Sequence, residues 1–301
     1  MNARMFSIFR MVLGGYLTLH FAMLIPYAAE LFSTQGLLPD AMLNPAGALF
    51  PSPLMLELSP AAVTGFIWVM TGLSVLFSFG LRRPFVAAFL WFGWTALFHR
   101  NNLIVNPSLA YVGLLLALCV IIPDGEPWSL SSRRSKSKPW QMPVWVMRCA
   151  WILMAVGYTF SGITKLGSAS WMDGSAMHYL LHNPLARPGW MRDFMLSLPD
   201  FFLLILTWGT VVIEVLFVPL ACWKHSRPWI WLAMVLLHFG IITVVDFADL
   251  SLGMLMIHLF TFDPKWAARL YHSIKPGMNH FSRADKITFP PARGTSRAQG
   301  A

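Results

Sequence analysis

The chain has 301 residues, of which 56% are hydrophobic and only 12% charged, with a formal net charge of +9. So little polar surface cannot coat a soluble globule of this size, which excludes a water-soluble enzyme and points to a bilayer. The positive excess does not call for nucleic acid, because its placement along the chain has a simpler cause in membrane topology.

Apolar runs of about 20 residues, the length that crosses a bilayer, fall near 8–30, 60–80, 84–99, 106–123, 143–164, 201–222, 228–246 and 249–263. In lipid every backbone N–H and C=O must be paired inside its own segment, and the alternating pattern of barrel strands does not occur. The expected fold is an all-α integral membrane protein, a bundle of about eight transmembrane helices. No A-x-A site follows the first run, so it reads as a retained helix rather than a cleaved signal. With the N-terminus inside, 18 of the 22 Lys and Arg lie on the inner side and only Arg100, Lys165, Arg187 and Arg192 lie outside. This asymmetry predicts that both termini are cytoplasmic.

Between the runs, 31–59 is rich in Pro and Gly and carries no Lys or Arg; it reads as an ordered cap, with Leu54 to Leu58 apolar enough to lie on the membrane surface. The linker 124–141 interleaves Ser with Arg and Lys and reads as a solvated cytoplasmic connection. The connection 165–200 concentrates polar chemistry: Lys165, Asp173, His178, His182, Asn183, Arg187, Arg192, Asp193 and Asp200. Cys119, Cys149 and Cys222 form no C-x-x-C and read as small core residues. The expected division is a polytopic membrane domain over 1–264 and a basic, disordered cytoplasmic tail over 265–301.

Lys165 ends an otherwise apolar helix. An amine there either snorkels to water as an anchor or occupies a protein-lined cavity. To act as a base it must be neutral, which burial favours and a close Asp173 carboxylate opposes, so the distance between those two groups decides its use. Gly157 and Gly162 clear one side of the helix end, for packing or for a ligand. His178 and His182 share a helical face, but no third ligand completes a site, and no metal is expected. Glu214, within an apolar helix, needs a partner; Arg148 enters the fifth helix from the same side, so a structural Arg148–Glu214 pair is expected. His20, His238 and His258 read as interhelical hydrogen-bonders. A transporter would instead need Glu214 and His238 to line one cavity, and no internal repeat supports it. His99-Arg100-Asn101-Asn102 and Asn106-Pro107-Ser108 form a polar cluster in which Arg100 or Asn102 would face the Lys165 end and hold an anionic or carbonyl group. No G-x-S-x-G, P-loop, H-E-x-x-H or dinucleotide fingerprint is present.

From Tyr158 to Gly174 the chain resembles the vitamin K-dependent gamma-carboxylases and their bacterial relatives, which share the horizontally transferred transmembrane (HTTM) domain. The matching residues are Tyr158, Ser161-Gly162, Lys165-Leu166, Trp171, Asp173 and Gly174. Glu214, His238 and the Leu250-Ser-Leu-Gly-Met-Leu run resemble the family's later helices, and Asn106 falls where the family has an Asn at an outer helix end. The likeness covers most of 1–264. It departs at Thr164, where the animal enzymes have a second lysine, and at Pro107, where they have a histidine. The resemblance implies a periplasm-facing site in the bacterial inner membrane at which Lys165 takes a proton from a reduced menaquinone or vitamin K-type quinol. Trp171, Asp173, Asn106, Arg100 and Asn102 would bind or orient the substrate, and carboxylase-like or quinol-oxidising chemistry would follow. The expected partners are the bilayer, a lipid-soluble quinone and a peptide or protein substrate. The alternative is a non-catalytic membrane partner, or an export or maturation factor for a secreted peptide.

Overall fold

The computed structural model of the chain describes residues 1–44, 52–56, 58–131 and 140–266. Helix α1 (Ala3–Leu24) begins on Asn2, whose side chain accepts the Met5 N–H at 2.9 Å; after one 3-10 turn holding Pro26 the chain resumes as α2 (Ala28–Phe32). Helix α3 (Pro60–Phe79) starts on the Ser59 cap with Pro60 at its first position and stops at Gly80, whose φ of 68° is left-handed. Helices α4 (Arg83–Arg100) and α5 (Pro107–Ile121) follow, the latter capped by Asn106. Next come α6 (Val144–Leu166) and three short helices, α7 (Ala169–Met172), α8 (Ala176–His182) and α9 (Trp190–Ser197). The series ends with α10 (Asp200–Val215), α11 (Phe217–Cys222), α12 (Arg227–Val244) and α13 (Ala248–Thr261). Among the described residues the sole strand-like pairing is an isolated bridge between Ala186 and Val245.

Each of the eight apolar runs falls on helix, the 201–222 run being shared by α10 and α11. Among the described residues, four segments are long and apolar enough to cross a membrane: Ala3–Phe32, α3, α6 and α12. A fifth arises if α9 and α10, bent by 109°, form one broken span. The faces turned away from the core are as apolar as those turned toward it. On α6 the stripe Ile152, Val156, Phe160 and Ile163 is exposed, while Val146, Ala150, Met154 and Tyr158 are buried. A helix apolar all round belongs in lipid, so this is a membrane protein.

Inside, α1 packs on α3 and α13, α4 on α5, α5 on α13, and α6 on α10 and α11. Phe6, Phe9, Leu13, Leu17 and Phe21 form the buried face of α1 at three- and four-residue steps. Leu54 is buried in this core while Leu56 is exposed, and Ser52 donates to the Ala96 carbonyl at 3.3 Å. That cap is therefore seated on α4; residues 45–51 and 57 lie outside the described part.

The linker after α5 also departs from expectation. Glu126 is fully buried, with Oε1 3.0 Å from Arg10 Nε and 3.1 Å from Arg83 Nε. Arg10 further donates to the carbonyls of Phe77 (3.0 Å), Ser78 and Trp128 (2.8 Å). Arg83 donates to those of Cys119, Ile122 (2.9 Å) and Pro123 (2.7 Å). Two arginines that the charge count places on the inner side are thus internal ions joining α1, α4 and the start of the linker. An arginine fork satisfies free helix-end carbonyls and a carboxylate together. Residues 132–139 of that linker and the expected tail beyond 266 lie outside the described part.

Candidate active site

Tyr158, Ser161, Gly162 and Lys165 occupy one face of α6 at helical spacing. At its end Lys165 Nζ donates to Ser161 Oγ at 2.8 Å and lies 2.5 Å from Glu214 Oε2 on α10. The two side chains are 18% and 7% exposed. Nζ also stands 5.1 Å from the ring centroid of Trp171, close enough for a cation–π contact. Gly162 permits the approach: a Cβ there would stand 2.6 Å from Val215 N and 2.9 Å from the Glu214 carbonyl carbon. Any side chain would push α10, with its carboxylate, away from α6.

Pro219, which has no N–H for the Val215 carbonyl, and Thr159 together end α10 at Val215. The Thr159 hydroxyl donates to Glu214 O at 3.3 Å and accepts the Val218 N–H at 3.1 Å. It thereby stands in the place of the helical bond from residue 218 to residue 214 and breaks the ladder between α10 and α11.

The expected Arg148–Glu214 pair is not formed, because Glu214 is bound to Lys165. Arg148 and Lys165 are seventeen residues apart, about 25 Å along a helix axis, so no single carboxylate reaches both. The register was misjudged because α10 runs past the end of α6: Trp208 Nε1 donates to Met172 O at 3.2 Å, beyond Lys165, and Gly174 packs on Leu204. Asp173 is exposed, and it accepts the Ser175 hydroxyl at 2.6 Å and the Ser175 backbone N–H at 2.9 Å. The hydroxyl first, then the N–H, holds this carboxyl below the usual carboxylate range. It is not the partner of Lys165.

Arg100 is buried and donates to Ser33 O at 2.9 Å, and Asn101 donates to Leu31 O at 2.7 Å. Their hydrogen bonds tie α4 to the end of α2 rather than facing Lys165, and Asn102 is an exposed turn residue. Asn106 accepts the Ser108 N–H at 3.0 Å as the α5 cap and donates to Asp249 Oδ2 at 3.3 Å. The His178 and His182 rings are 4.3 Å apart, and among the described residues no group of three His, Cys, Asp or Glu is placed to hold a metal.

Deeper on the α6 face, the Tyr158 hydroxyl is 2.8 Å from His238 Nε2 and 2.7 Å from His258 Nε2, and His238 Nδ1 is 3.2 Å from Ser251 Oγ. One hydroxyl proton cannot serve two imidazole nitrogens, so at least one histidine carries its proton on Nε2. Glu214 and His238 are both buried in bonds to protein partners, as interhelical ties are, which leaves the transporter reading without support. We expect Tyr158→Phe, which strands both nitrogens in a dry interior, to lower stability by about 1–3 kcal/mol, measured as the loss in thermal midpoint in detergent.

Sequence reasoning missed Asp249 and Glu126. Each had a visible signal: an acid opening an apolar helix, and an acid in the Pro-Asp-Gly-Glu-Pro turn that follows another.

The fold and this pair define a helical membrane protein with a lysine–carboxylate site at one end of its bundle. A model of the HTTM domain matches residues 2–266, and the chain belongs to that family, a membrane domain of the gamma-carboxylases. It is similar to the uncharacterized protein YitO of Bacillus subtilis (strain 168), 25% identical over 212 residues that cover 66% of this chain and 67% of that one. No solved structure matches the chain.

Proposed function

We propose that all eight apolar segments cross the bacterial inner membrane, with both termini cytoplasmic and the Lys165 end facing the periplasm. There Lys165 acts as a base on a reduced naphthoquinone that arrives through the lipid. The observation that carries this reading is the fixed geometry of the Lys165 amine between Ser161, Glu214 and the Trp171 ring. Burial favours the neutral amine that a base must be and the Glu214 carboxylate at 2.5 Å opposes it, so proton transfer within the pair is the step that frees the Nζ lone pair. The Nζ lone pair then takes a quinol hydroxyl proton: the O–H bond breaks, the N–H bond forms, and the ammonium stabilises the oxyanion left behind. Trp171 offers a flat apolar face for the ring.

The test is an assay of the purified protein with reduced menaquinone, oxygen and labelled carbon dioxide beside Lys165→Ala. Quinol consumption or label fixation is expected in the native protein and at background in the variant; equal values in both sink the proposal. The closed ion pair also suits a second reading, a non-catalytic partner in export or maturation of a secreted peptide. Lys165→Arg keeps the charge without a usable neutral form, so function retained in that variant favours the second reading.

A further inference from the structure

Another set of side chains converges near the end of α1 and the starts of α5 and α13, on helices that do not carry the lysine. Asp249, in the first turn of α13, accepts on Oδ1 the Tyr16 hydroxyl at 2.7 Å and bonds His20 Nδ1 there at 2.9 Å. Its Oδ2 receives Asn106 Nδ2 at 3.3 Å. Polar groups from α1 and the α5 cap thus meet on one carboxylate of α13. A carboxylate only accepts, so Nδ1 of His20 is a protonated nitrogen, and Nε2 is the ring nitrogen that Asp249 does not engage. The dyad is not sealed, since the side chains of His20 and Asp249 keep 16% and 25% of their surface. Around the imidazole stand the rings of Trp94, Phe21 and Tyr16, at centroid distances of 4.9, 5.5 and 5.9 Å.

An imidazole nitrogen among aromatic rings suits a planar ring that carries a hydroxyl. We propose that His20, positioned by Asp249, is a second acid–base site for the phenolic hydroxyl of a lipid-soluble aromatic. The ligand O–H bond breaks, the Nε2–H bond forms, and the resulting imidazolium is neutralised by the Asp249 carboxylate. The choice of a quinol as ligand rests on the function proposed above; the site itself does not involve Lys165.

The experiment treats the native protein in lipid nanodiscs with diethylpyrocarbonate under anaerobic conditions, with and without reduced menadione, and reads His20 modification by peptide mass spectrometry. Reduced menadione is expected to slow modification of His20 several-fold, and to do so equally in Lys165→Ala. In parallel, tryptophan quenching by reduced menadione should show affinity about tenfold weaker in His20→Gln. Absence of His20 protection in the native protein, or its loss in Lys165→Ala, overturns the proposal, as does unchanged affinity in His20→Gln. Because protection reports binding and not turnover, failure of the Lys165 assay leaves this result standing by itself.

Discussion

Replacing Glu126 by Gln is expected to cost the folded protein about 3–5 kcal/mol, the penalty of leaving buried charge without its counter-ion. Arg10, Arg83 and Glu126 are all fully enclosed, and a single carboxylate oxygen serves both guanidinium groups. The neutral amide keeps the shape but leaves two cations facing each other, Arg10 with only backbone carbonyls and Arg83 with carbonyls and the exposed Asp124 carboxylate at 3.6 Å. Arg10→Met should cost less, because Arg83 and Glu126 then remain as a one-to-one pair. Thermal unfolding in detergent reads both variants, and a Glu126→Gln protein as stable as the native one contradicts this account of the clamp.

Glu214→Gln is expected to lower quinol turnover by about 10²–10⁴-fold, as far as Lys165→Ala does, since general-base catalysis contributes on that scale. The amide still accepts a hydrogen bond from the amine but cannot take its proton, so the proton transfer within the pair is lost. Stability should change little, because the Lys165 head group keeps 18% of its surface and can turn toward water. Glu214→Asp, one methylene shorter, should recover part of the rate. Full turnover in Glu214→Gln, measured beside unchanged melting, would show that the lysine does not need this carboxylate to become a base.

The helices were legible because lipid asks for long apolar runs, and each run from the first to that ending near 263 became helix. The lysine was legible as well: a charge closing an apolar helix beside Gly162 and Trp171 stands out. Its partner was not. Pairing Glu214 with Arg148 assumed that α6 and α10 start and stop together, whereas α7 and α8 carry the chain along an α10 that extends past Lys165. Offsets between neighbouring helices come from packing of Gly162, Thr159 and Trp208, and no count along one helix reveals them. Counting charges by side puts Arg10 and Arg83 on the inner side but says nothing of their burial: an acid on a distant linker makes them internal ions, and sequence distance hides it.

Helices α5 and α13 have 15 and 14 residues, about 22 Å of rise, against the 30 Å or so of a typical hydrocarbon layer. They pack side by side, with Gly253 against Ser108. On the eight-span topology proposed above, the hydrophobic slab must thin where both run together, or their polar beginnings at Asn106 and Asp249 must sink beneath the level of the phosphates. Either adjustment brings the His20–Asp249 pair within reach of molecules dissolved among the acyl chains, which need not leave the lipid to meet it.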